Sequence, residues 1–350
     1  MSDEQVGIGV VGCGWAGRQA ALAASLVPRT RLAAVADLDA ARRRDVAAEF
    51  SVESVFETHE ELLAHDGVDA AYLATPPVGR FPLVMDALAA RKHVLVQKPH
   101  AIEAAEIREM EAKAAAVDRT LMFCYFNRHD PANRRLRAAV RDGLVGDVYH
   151  ARVFVRFNHI PPFDDGTRWQ HVYGQKGGAL GQHASHELDL AWWLMGCPEP
   201  CWGSATKHTP YPQQDEAEPA EDYLSGLVGL AGGATIQVDC SRMLHSEAAN
   251  VFEVYGTDGA VSGRSVTRYD REEGTFREVT VDAEAAVDHT DPPDRPADDP
   301  CYFYHEVEHF ALAVADEVRP DVDADDAHRF MTMLDALYES ARENEKVVID

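Results

Sequence analysis

The chain has 350 residues, enough for two domains of ordinary size and a full hydrophobic core, so it is no small scaffold that needs staples. Thirty-three basic against fifty-nine acidic side chains leave a formal net charge of −26, a field that repels phosphate backbones and anionic lipid and argues against nucleic acid as a partner. Without an apolar run of about 18 residues, a basic leader or any Cys-x-x-Cys pair among Cys13, Cys124, Cys197, Cys201, Cys240 and Cys301, the reading is a reducing, cytoplasmic protein with no membrane, metal or disulfide framework.

From residue 6 to about 125 short apolar runs alternate with helical patterns, which predicts a doubly wound α/β domain on a parallel sheet. The expected strands are Val6 to Gly12, Arg31 to Ala36, Ala70 to Ala74, His93 to Val96 and Thr120 to Cys124. The expected helices are Ala16 to Ser25, Ala40 to Phe50, His59 to Ala64, Phe81 to Ala90 and Ala104 to Val117. Beyond Arg128 the grammar changes. A helix over Asn133 to Asp142 and an extended run over Val148 to Phe157 precede an apolar helix over Ala179 to Met195. Then come strand-like runs at Gly203 to His208, Tyr223 to Leu230, Thr235 to Cys240, Val251 to Gly256 and Gly259 to Arg268. Consecutive strands without intervening helices predict a mostly antiparallel sheet, hence an α+β second domain, and the division expected is 1–125 and 126–350. Pro210 to Asp222 and Asp282 to Pro300, crowded with Pro and acid, read as mobile loops. Tyr304 to Val318 and Ala324 to Glu343 read as two helices packing on one of the domains.

Gly12-Cys13-Gly14-Trp15-Ala16-Gly17 fits Gly-x-Gly-x-x-Gly and lies between an apolar strand and a helix. The first glycine permits the tight turn, the second lets backbone approach a pyrophosphate, and the third lets helix and strand pack closely. Asp37 ends the next apolar run twenty residues after Gly17, where a carboxylate can bond the ribose hydroxyls of a dinucleotide. Asp37 followed by Leu38 favours NAD, because a carboxylate repels a 2′-phosphate. Arg42, Arg43 and Arg44 follow closely and keep NADP open as the second choice, although they read first as a solvated helix face.

His93-Val94-Leu95-Val96-Gln97-Lys98-Pro99 sets an ammonium group at the carboxyl end of a buried strand, the edge at which doubly wound sheets bind ligands. The chain has only six lysines, which makes one at this place informative. Pro99 ends the strand, so Lys98 is expected to project into the crevice, where an ammonium held away from water can serve a proton relay.

Gly12-x-Gly14-x-x-Gly17, Ala74-Thr75-Pro76-Pro77 and Gln97-Lys98-Pro99, in this order and at these separations, resemble the glucose-fructose oxidoreductase and inositol dehydrogenase family, Gfo/Idh/MocA. The similarity continues through Asn127-Arg128, Gly177-Gly178-Ala179-Leu180, Tyr255-Gly256-Thr257-x-Gly259 and Tyr338-Glu339-Ser340-Ala341. It implies an N-terminal Rossmann domain, a C-terminal domain on a large open sheet, and a homodimer or homotetramer assembled through the exposed face of that sheet. The expected cofactor contacts are Gly12, Gly14, Trp15, Ala16, Gly17, Asp37 and Leu38, with Thr75, Pro76, Arg80, Gln97 and Lys98 completing the set. Abundant acid and scarce lysine also resemble proteins of salt-loving organisms.

Gly177 to Asp189 matches the family segment that carries the catalytic histidine, and by the resemblance His186 is the general base. An ordinary imidazole, with a pKa of about 6.5, suits proton removal from an alcohol near neutrality. Helical spacing puts Gln182, His186, Asp189 and Trp193 on one stripe that must face water, a partner or a ligand. His183 reads as a core histidine or a substrate contact, and Asp189 as structural, as an acceptor behind the groups that touch substrate, or as a helix-packing group. The cluster His183-Ala184-Ser185-His186-Glu187 meets neither zinc-protease spacing, so no metal is expected. Three departures from the family pattern stand out: Gln97 and Gln182 where acids are usual, and Arg80 where many members have a histidine. The reading is NAD(P)-dependent oxidation of a hydroxyl on a sugar, sugar derivative or cyclic polyol, with Lys98 and His186 as catalytic pair. Gln182, His183, Arg128, Asn158, Trp169 and His171 are the expected substrate contacts. Two alternatives remain: a sugar-sensing regulator without net chemistry, and an enzyme that uses NAD transiently for glycoside cleavage or epimerisation.

Overall fold

The computed structural model describes residues 5–157, 168–210, 218–243, 247–280 and 303–349. No helix among them is long and apolar enough to cross a membrane. The described chain divides into two compact units, residues 5–129 with 303–328, and residues 130–280 with 329–349.

In the first unit β1 (Val6–Val11) leads into α1 (Trp15–Leu26), followed by β2 (Thr30–Ala36), α2 (Ala40–Phe50), β3 (Val55–Phe56) and α3 (His59–Leu63). Then come β4 (Ala70–Leu73), α4 (Arg80–Ala89), β5 (His93–Val96), α5 (Ala104–Val117) and β6 (Leu121–Phe123). All pairings in this sheet are parallel, and the strand order is β3-β2-β1-β4-β5-β6. That is the order of the Rossmann fold, and its direction reverses between β1 and β4, which places the ligand crevice outside their carboxyl ends. The helices start where local chemistry tells them to. Asp39 accepts the N–H groups of Ala41 and Arg42 at the head of α2, and Thr58 with Glu61 forms a capping box at α3.

The second unit opens with α6 (Pro131–Arg141), capped by Asp130 and started by a proline whose missing N–H has no helical partner to lose. β7 (Val148–Arg156) follows, and later α7 (Ser185–Leu194), β8 (Pro200–His208), β9 (Tyr223–Leu230), β10 (Thr235–Ser241) and β11 (Ala249–Gly256). The strands β12 (Gly259–Ser262), β13 (Ser265–Asp270) and β14 (Thr275–Val279) complete the run. The sheet is nine-stranded and mostly antiparallel, with β7 and β10 the parallel pair at its centre. Alternation along β7 gives it two faces: Ala151, Val153 and Val155 are fully buried, whereas Arg152 is exposed and Phe154 half-buried. The expected strand from Gly259 to Arg268 is in fact the hairpin β12–β13, turning at Gly263 with φ +55°.

The C-terminal helices α8 (Tyr304–Val314) and α9 (Ala324–Glu343) precede β15 (Val347–Val348), which pairs with β8. The expected boundary at 125/126 leaves α8 with the second domain, but contacts assign it to the first unit. Its apolar face explains why: Tyr304, Val307 and Phe310 enter the core built by Ile8, Val10, Ala20, Ala24 and Tyr72. Burial of Val307 and Phe310, each 1% exposed, stabilises that return by roughly 1.5–3 kcal/mol apiece. The stretch Pro210 to Asp222, expected as a loop, is described only in part, but its end is anchored. Glu221 and Asp222 are both 0% exposed, and Asp222 Oδ1 accepts Arg242 Nε at 2.9 Å.

Candidate functional site

The turn after β1 is shaped by its glycines. Gly12 has φ +94°, a conformation other residues avoid. A Cβ on Gly17 would lie 1.7 Å from the Gly12 carbonyl oxygen, so α1 can pack this close to β1 only with glycine there. A Cβ on Gly14 would meet no atom of the chain within 4 Å, which is the room a pyrophosphate needs. α1 has neither a side-chain cap nor an acid in its first turn, so its leading N–H groups are arranged for an anion. Asp37 is held from both sides: Oδ2 accepts the Cys13 N–H at 2.6 Å and Oδ1 the Asp39 N–H at 2.8 Å. A carboxylate has about four acceptor positions, so capacity remains for two ribose hydroxyls. Leu38, next to this acid in sequence, is 82% exposed, and Trp15, whose ring meets Phe303 edge-on at 6.0 Å, is 65% exposed; both are apolar surfaces of the kind that cover an adenine. Arg42 pairs with Asp39, Arg43 bonds the carbonyls of Asp37 and Leu38, and Arg44 bonds the Ala40 carbonyl. Thr75 Oγ1 is buried and has no hydrogen-bond partner among the described residues, an orphan that a bound dinucleotide can satisfy. These residues therefore fit a dinucleotide.

Arg80 does something other than expected. It is 2% exposed, and its guanidinium donates to three main-chain carbonyls, those of Thr75, Gln97 and Pro99. Burial pushes its pKa down to about 9. This arginine is thus a tether between the turn after β4 and the turn after β5, and its donors are directed at the chain instead of a cofactor. Gln97 is similarly enclosed, 5% exposed, with Nε2 donating to Tyr72 Oη at 3.0 Å and Oε1 accepting the Lys98 N–H at 2.8 Å. Lys98 itself is half-buried just past β5, preceding Pro99 through a cis bond. Arg128, expected to meet substrate, is 0% exposed, and Nη1 pairs with Asp326 at 2.6 Å. Its charge is spent inside the first unit.

In the second unit the histidine-bearing segment is not one straight α-helix. Leu180–Ala184 form a π-turn that runs into α7. Such turns insert a residue and often mark functional sites. The four residues of the expected stripe differ in burial. Gln182 and His186 are half-buried, whereas Asp189 and Trp193 turn inward, 0% and 7% exposed. Gln182 Nε2 donates to Gln170 Oε1 at 2.8 Å, and His183 stacks on Phe157 with ring centroids 4.1 Å apart. Trp169 is half-buried in a short 3-10 helix, and His171 at its end is 1% exposed, an interior residue and not a presented hydroxyl binder. Asn158 lies outside the described residues.

Of two buried acids that carry no motif, one supports this segment. Glu221 Oε1 accepts the Leu180 N–H at 2.8 Å, and burial pushes its pKa up to about 7. A Cβ on Gly178 would fall 2.3 Å from its Oε2, so the glycine entry makes room for this side chain of the protein itself. Tyr338 Oη ties the same entry by accepting the Gly181 N–H at 2.9 Å and donating to the Gly177 carbonyl at 3.0 Å. Glu306, on α8, is the other, 0% exposed in the first unit. Glu221 sat in a stretch read as loop, and Glu306 in an ordinary amphipathic helix, so neither gave a signal.

A parallel sheet in the 3-2-1-4-5-6 order with a glycine turn and an acid at the ends of β1 and β2 defines a dinucleotide-binding fold. Residues 6–125 match the model of an oxidoreductase family with an NAD-binding Rossmann fold, and residues 133–262 match the GFO/IDH/MocA C-terminal domain. The chain belongs to the Gfo/Idh/MocA family. It is 31% identical over 231 residues to a trans-1,2-dihydrobenzene-1,2-diol dehydrogenase of Mus musculus, a match spanning 65% of each chain. It is 26% identical to the D-xylose 1-dehydrogenase (NADP(+)) 2 of Haloferax volcanii, over 98% of this chain and 99% of the other. Among solved structures, GenD2 from gentamicin A biosynthesis in complex with NAD superposes with a TM-score of 0.81 at 27% identity, over 99% of this chain and 97% of that one.

Proposed function

We propose that the protein is an NAD-dependent dehydrogenase that oxidises a hydroxyl group of a sugar, a sugar derivative or a cyclic polyol. The observation that carries the reading is the layout of one sheet edge: the Gly12–Gly17 turn, Asp37 and Lys98 follow β1, β2 and β5 at their carboxyl ends, and Arg80 fixes the Lys98 turn to the Thr75 turn. Gly12, Gly14, Gly17, Trp15, Ala16, Asp37, Leu38, Thr75 and Pro76 hold the dinucleotide. Asp37 selects NAD over NADP by charge, since each nearby arginine already has a partner on the chain. The bound nicotinamide supplies a hydride acceptor. Lys98 donates a hydrogen bond to the reacting oxygen and stabilises it as its proton leaves, and His186 takes that proton. Gln182, His183 and Trp169 bind the remaining hydroxyls; with amide in place of acid at Gln182, they do so by hydrogen bonding without added negative charge.

The names of the relatives support a small oxygenated substrate, and the Haloferax relative, with the −26 charge, supports a protein that works in concentrated salt. The half-exposed face of the nine-stranded sheet, with Phe154 opposite Val251 and Arg152 opposite Glu253, supports assembly with a second copy. The test is an assay of aldoses, inositols and glycosides with NAD and NADP in high salt, followed by the near-ultraviolet absorbance of reduced nicotinamide. Lys98→Met and His186→Ala are expected to abolish turnover while NAD binding survives. Full turnover in both variants overturns the assignment; ligand binding without reduction points to a sensor, and product without net NADH to transient redox chemistry.

A further inference from the structure

Ser185 N–H reaches back five residues to the Leu180 carbonyl, which is what makes Leu180–Ala184 a π-turn. The carbonyl it would use in an α-helix, that of Gly181, accepts the Ser185 hydroxyl instead at 2.9 Å. Beyond the turn α7 cannot adjust, because Leu188, Leu190, Ala191, Trp192 and Leu194 are packed into the interior, each at most 2% exposed. Whether the turn stays wide is therefore decided on its N-terminal side.

Three successive N–H groups lie there, and each meets an acceptor from outside the helix. Ala179 N–H donates to the Glu221 carbonyl at 3.1 Å, Leu180 N–H to Glu221 Oε1 at 2.8 Å, and Gly181 N–H to Tyr338 Oη at 2.9 Å. Glu221 takes two of the three, one with its main chain and one with its side chain, so it fixes the rotation of the segment as well as its place. The fit is close: Gly178 has φ +85°, and a Cβ on Gly181 would lie 2.2 Å from the Lys176 carbonyl oxygen. Glu221 is 0% exposed, and its Oε2 has no hydrogen-bond partner among the described residues. An apolar side chain would fill the same place at less cost, so the acid is explained by the acceptor it supplies.

Gln182 and His183 belong to the π-turn, and His186 to the first turn of α7. In the wide register Gln182 Nε2 reaches Gln170 Oε1 at 2.8 Å and the His183 ring lies on Phe157 with centroids 4.1 Å apart. If Ser185 N–H took the Gly181 carbonyl, the turn would close to α-helix with one residue fewer in it. With α7 held by its core, the residues before it would rotate, and Gln182 and His183 would leave these partners. We propose that Glu221 is a positioning residue for the substrate pocket: its hold on Ala179 and Leu180 keeps the turn wide, and so sets Gln182 and His183 at a fixed offset from His186. The inference rests on the roles of these three residues proposed above. A misplacement of about 1 Å beside a reacting centre slows chemistry by up to about a hundredfold.

The experiment uses Glu221→Met, which is of similar length and has no acceptor oxygen, and Glu221→Gln, which keeps that oxygen in the shape of the protonated acid. Hydrogen exchange at the Leu180 amide is read in the full chain, alongside kcat/KM with the panel of aldoses, inositols and glycosides and the NAD dissociation constant. The expected result in Glu221→Met is at least tenfold faster exchange at Leu180 and at least tenfold lower kcat/KM, with NAD affinity kept because the dinucleotide binds the first unit. Glu221→Gln should stay close to the parent in all three, which a space-filling role would not require. Glu221→Leu provides the test if the methionine variant fails to fold. A crystal structure of the variant should show Gln182 parted from Gln170; an unchanged π-turn there overturns the proposal whatever the substrate is. Parent-like exchange at Leu180, parent-like kcat/KM, or equal loss in Glu221→Gln overturns it as well. If the turn responds as expected but His186→Ala retains turnover, the hold on the turn stands and the catalytic reading of His186 fails.

Discussion

The Arg80 tether makes a prediction in which two large terms oppose one another. Arg80→Met leaves the carbonyls of Thr75, Gln97 and Pro99 without their shared donor in a buried site, at roughly 1–3 kcal/mol each. The same change spares the fold a buried cation. A guanidinium whose pKa is pushed from 12.5 to about 9 resists its environment by several kcal/mol, at roughly 1.4 kcal/mol per pH unit. The two terms nearly cancel, leaving a net change between about 2 kcal/mol of gain and about 4 kcal/mol of loss, although the tether itself disappears. The decisive assay is local: hydrogen exchange in residues 74–78 and 97–100 together with the NAD dissociation constant. Exchange in both turns should accelerate together and NAD should bind at least tenfold more weakly, while exchange in β2 and α2 stays at its parent rate. Arg80→Lys should restore little, because one ammonium cannot reproduce a planar fork aimed at three acceptors. Parent-like exchange and affinity in Arg80→Met would refute the tether.

The glycine turn separates folding from binding. Gly17→Ala drives a Cβ into the Gly12 carbonyl and should destabilise the first unit by several kcal/mol in urea unfolding, whereas Gly14→Ala, with open space before it, should leave unfolding unchanged and weaken NAD binding. Asp37→Ser removes the charge that disfavours a 2′-phosphate, so the ratio of NADP to NAD affinity should rise at least tenfold in a titration of protein fluorescence. Glu221 has its folded pKa raised from 4.5 to about 7, so its native state holds the proton more tightly than the unfolded chain does. That contribution is fully present below about pH 4.5 and is lost as pH rises through about 7. The melting temperature of the parent relative to Glu221→Gln should accordingly fall across this window, and a pH-independent difference would contradict the buried-acid account.

How much of this was legible depended on whether the deciding interaction was local. The bounds of α2, α5, β5 and β9 were readable because caps and apolar runs set them within a few residues of chain. β14 escaped because Thr275, Phe276, Arg277 and Glu278 are all exposed and show no alternation to read. The β12–β13 turn, Ser262-Gly263-Arg264-Ser265, carried a legible signal, a glycine with φ +55° between two polar residues, that the continuous strand from Gly259 to Arg268 passed over. The amphipathic pattern of α8 announced a buried face but not which unit would bury it. For the site, the glycine turn, Asp37 and Lys98 carried their chemistry in short motifs. Arg80 and Gln97 were recognised by position yet misread in role, because carbonyls of three separated residues and a tyrosine on a neighbouring strand decide what they do. The π-turn at Leu180–Ala184 was invisible to spacing arithmetic that assumes 3.6 residues per turn.

The departure at Gln97 acquires a reason from the chain beneath Lys98. A glutamine there donates to Tyr72 and accepts from Lys98 at once, which a carboxylate cannot do. Gln97→Glu would make position 97 an acceptor at both ends, so the Tyr72 hydroxyl would have to donate to it, and a carboxylate would stand in a site where the glutamine is 5% exposed. A charge enclosed there, with no cation shown bonded to that side chain, should weaken the first unit by about 1–3 kcal/mol in urea unfolding at neutral pH. Its folded pKa would be raised, so the loss should ease as pH falls and the carboxyl takes a proton. A loss that stays the same from neutral pH down to about pH 5 would refute the account of Gln97 as donor and acceptor at once.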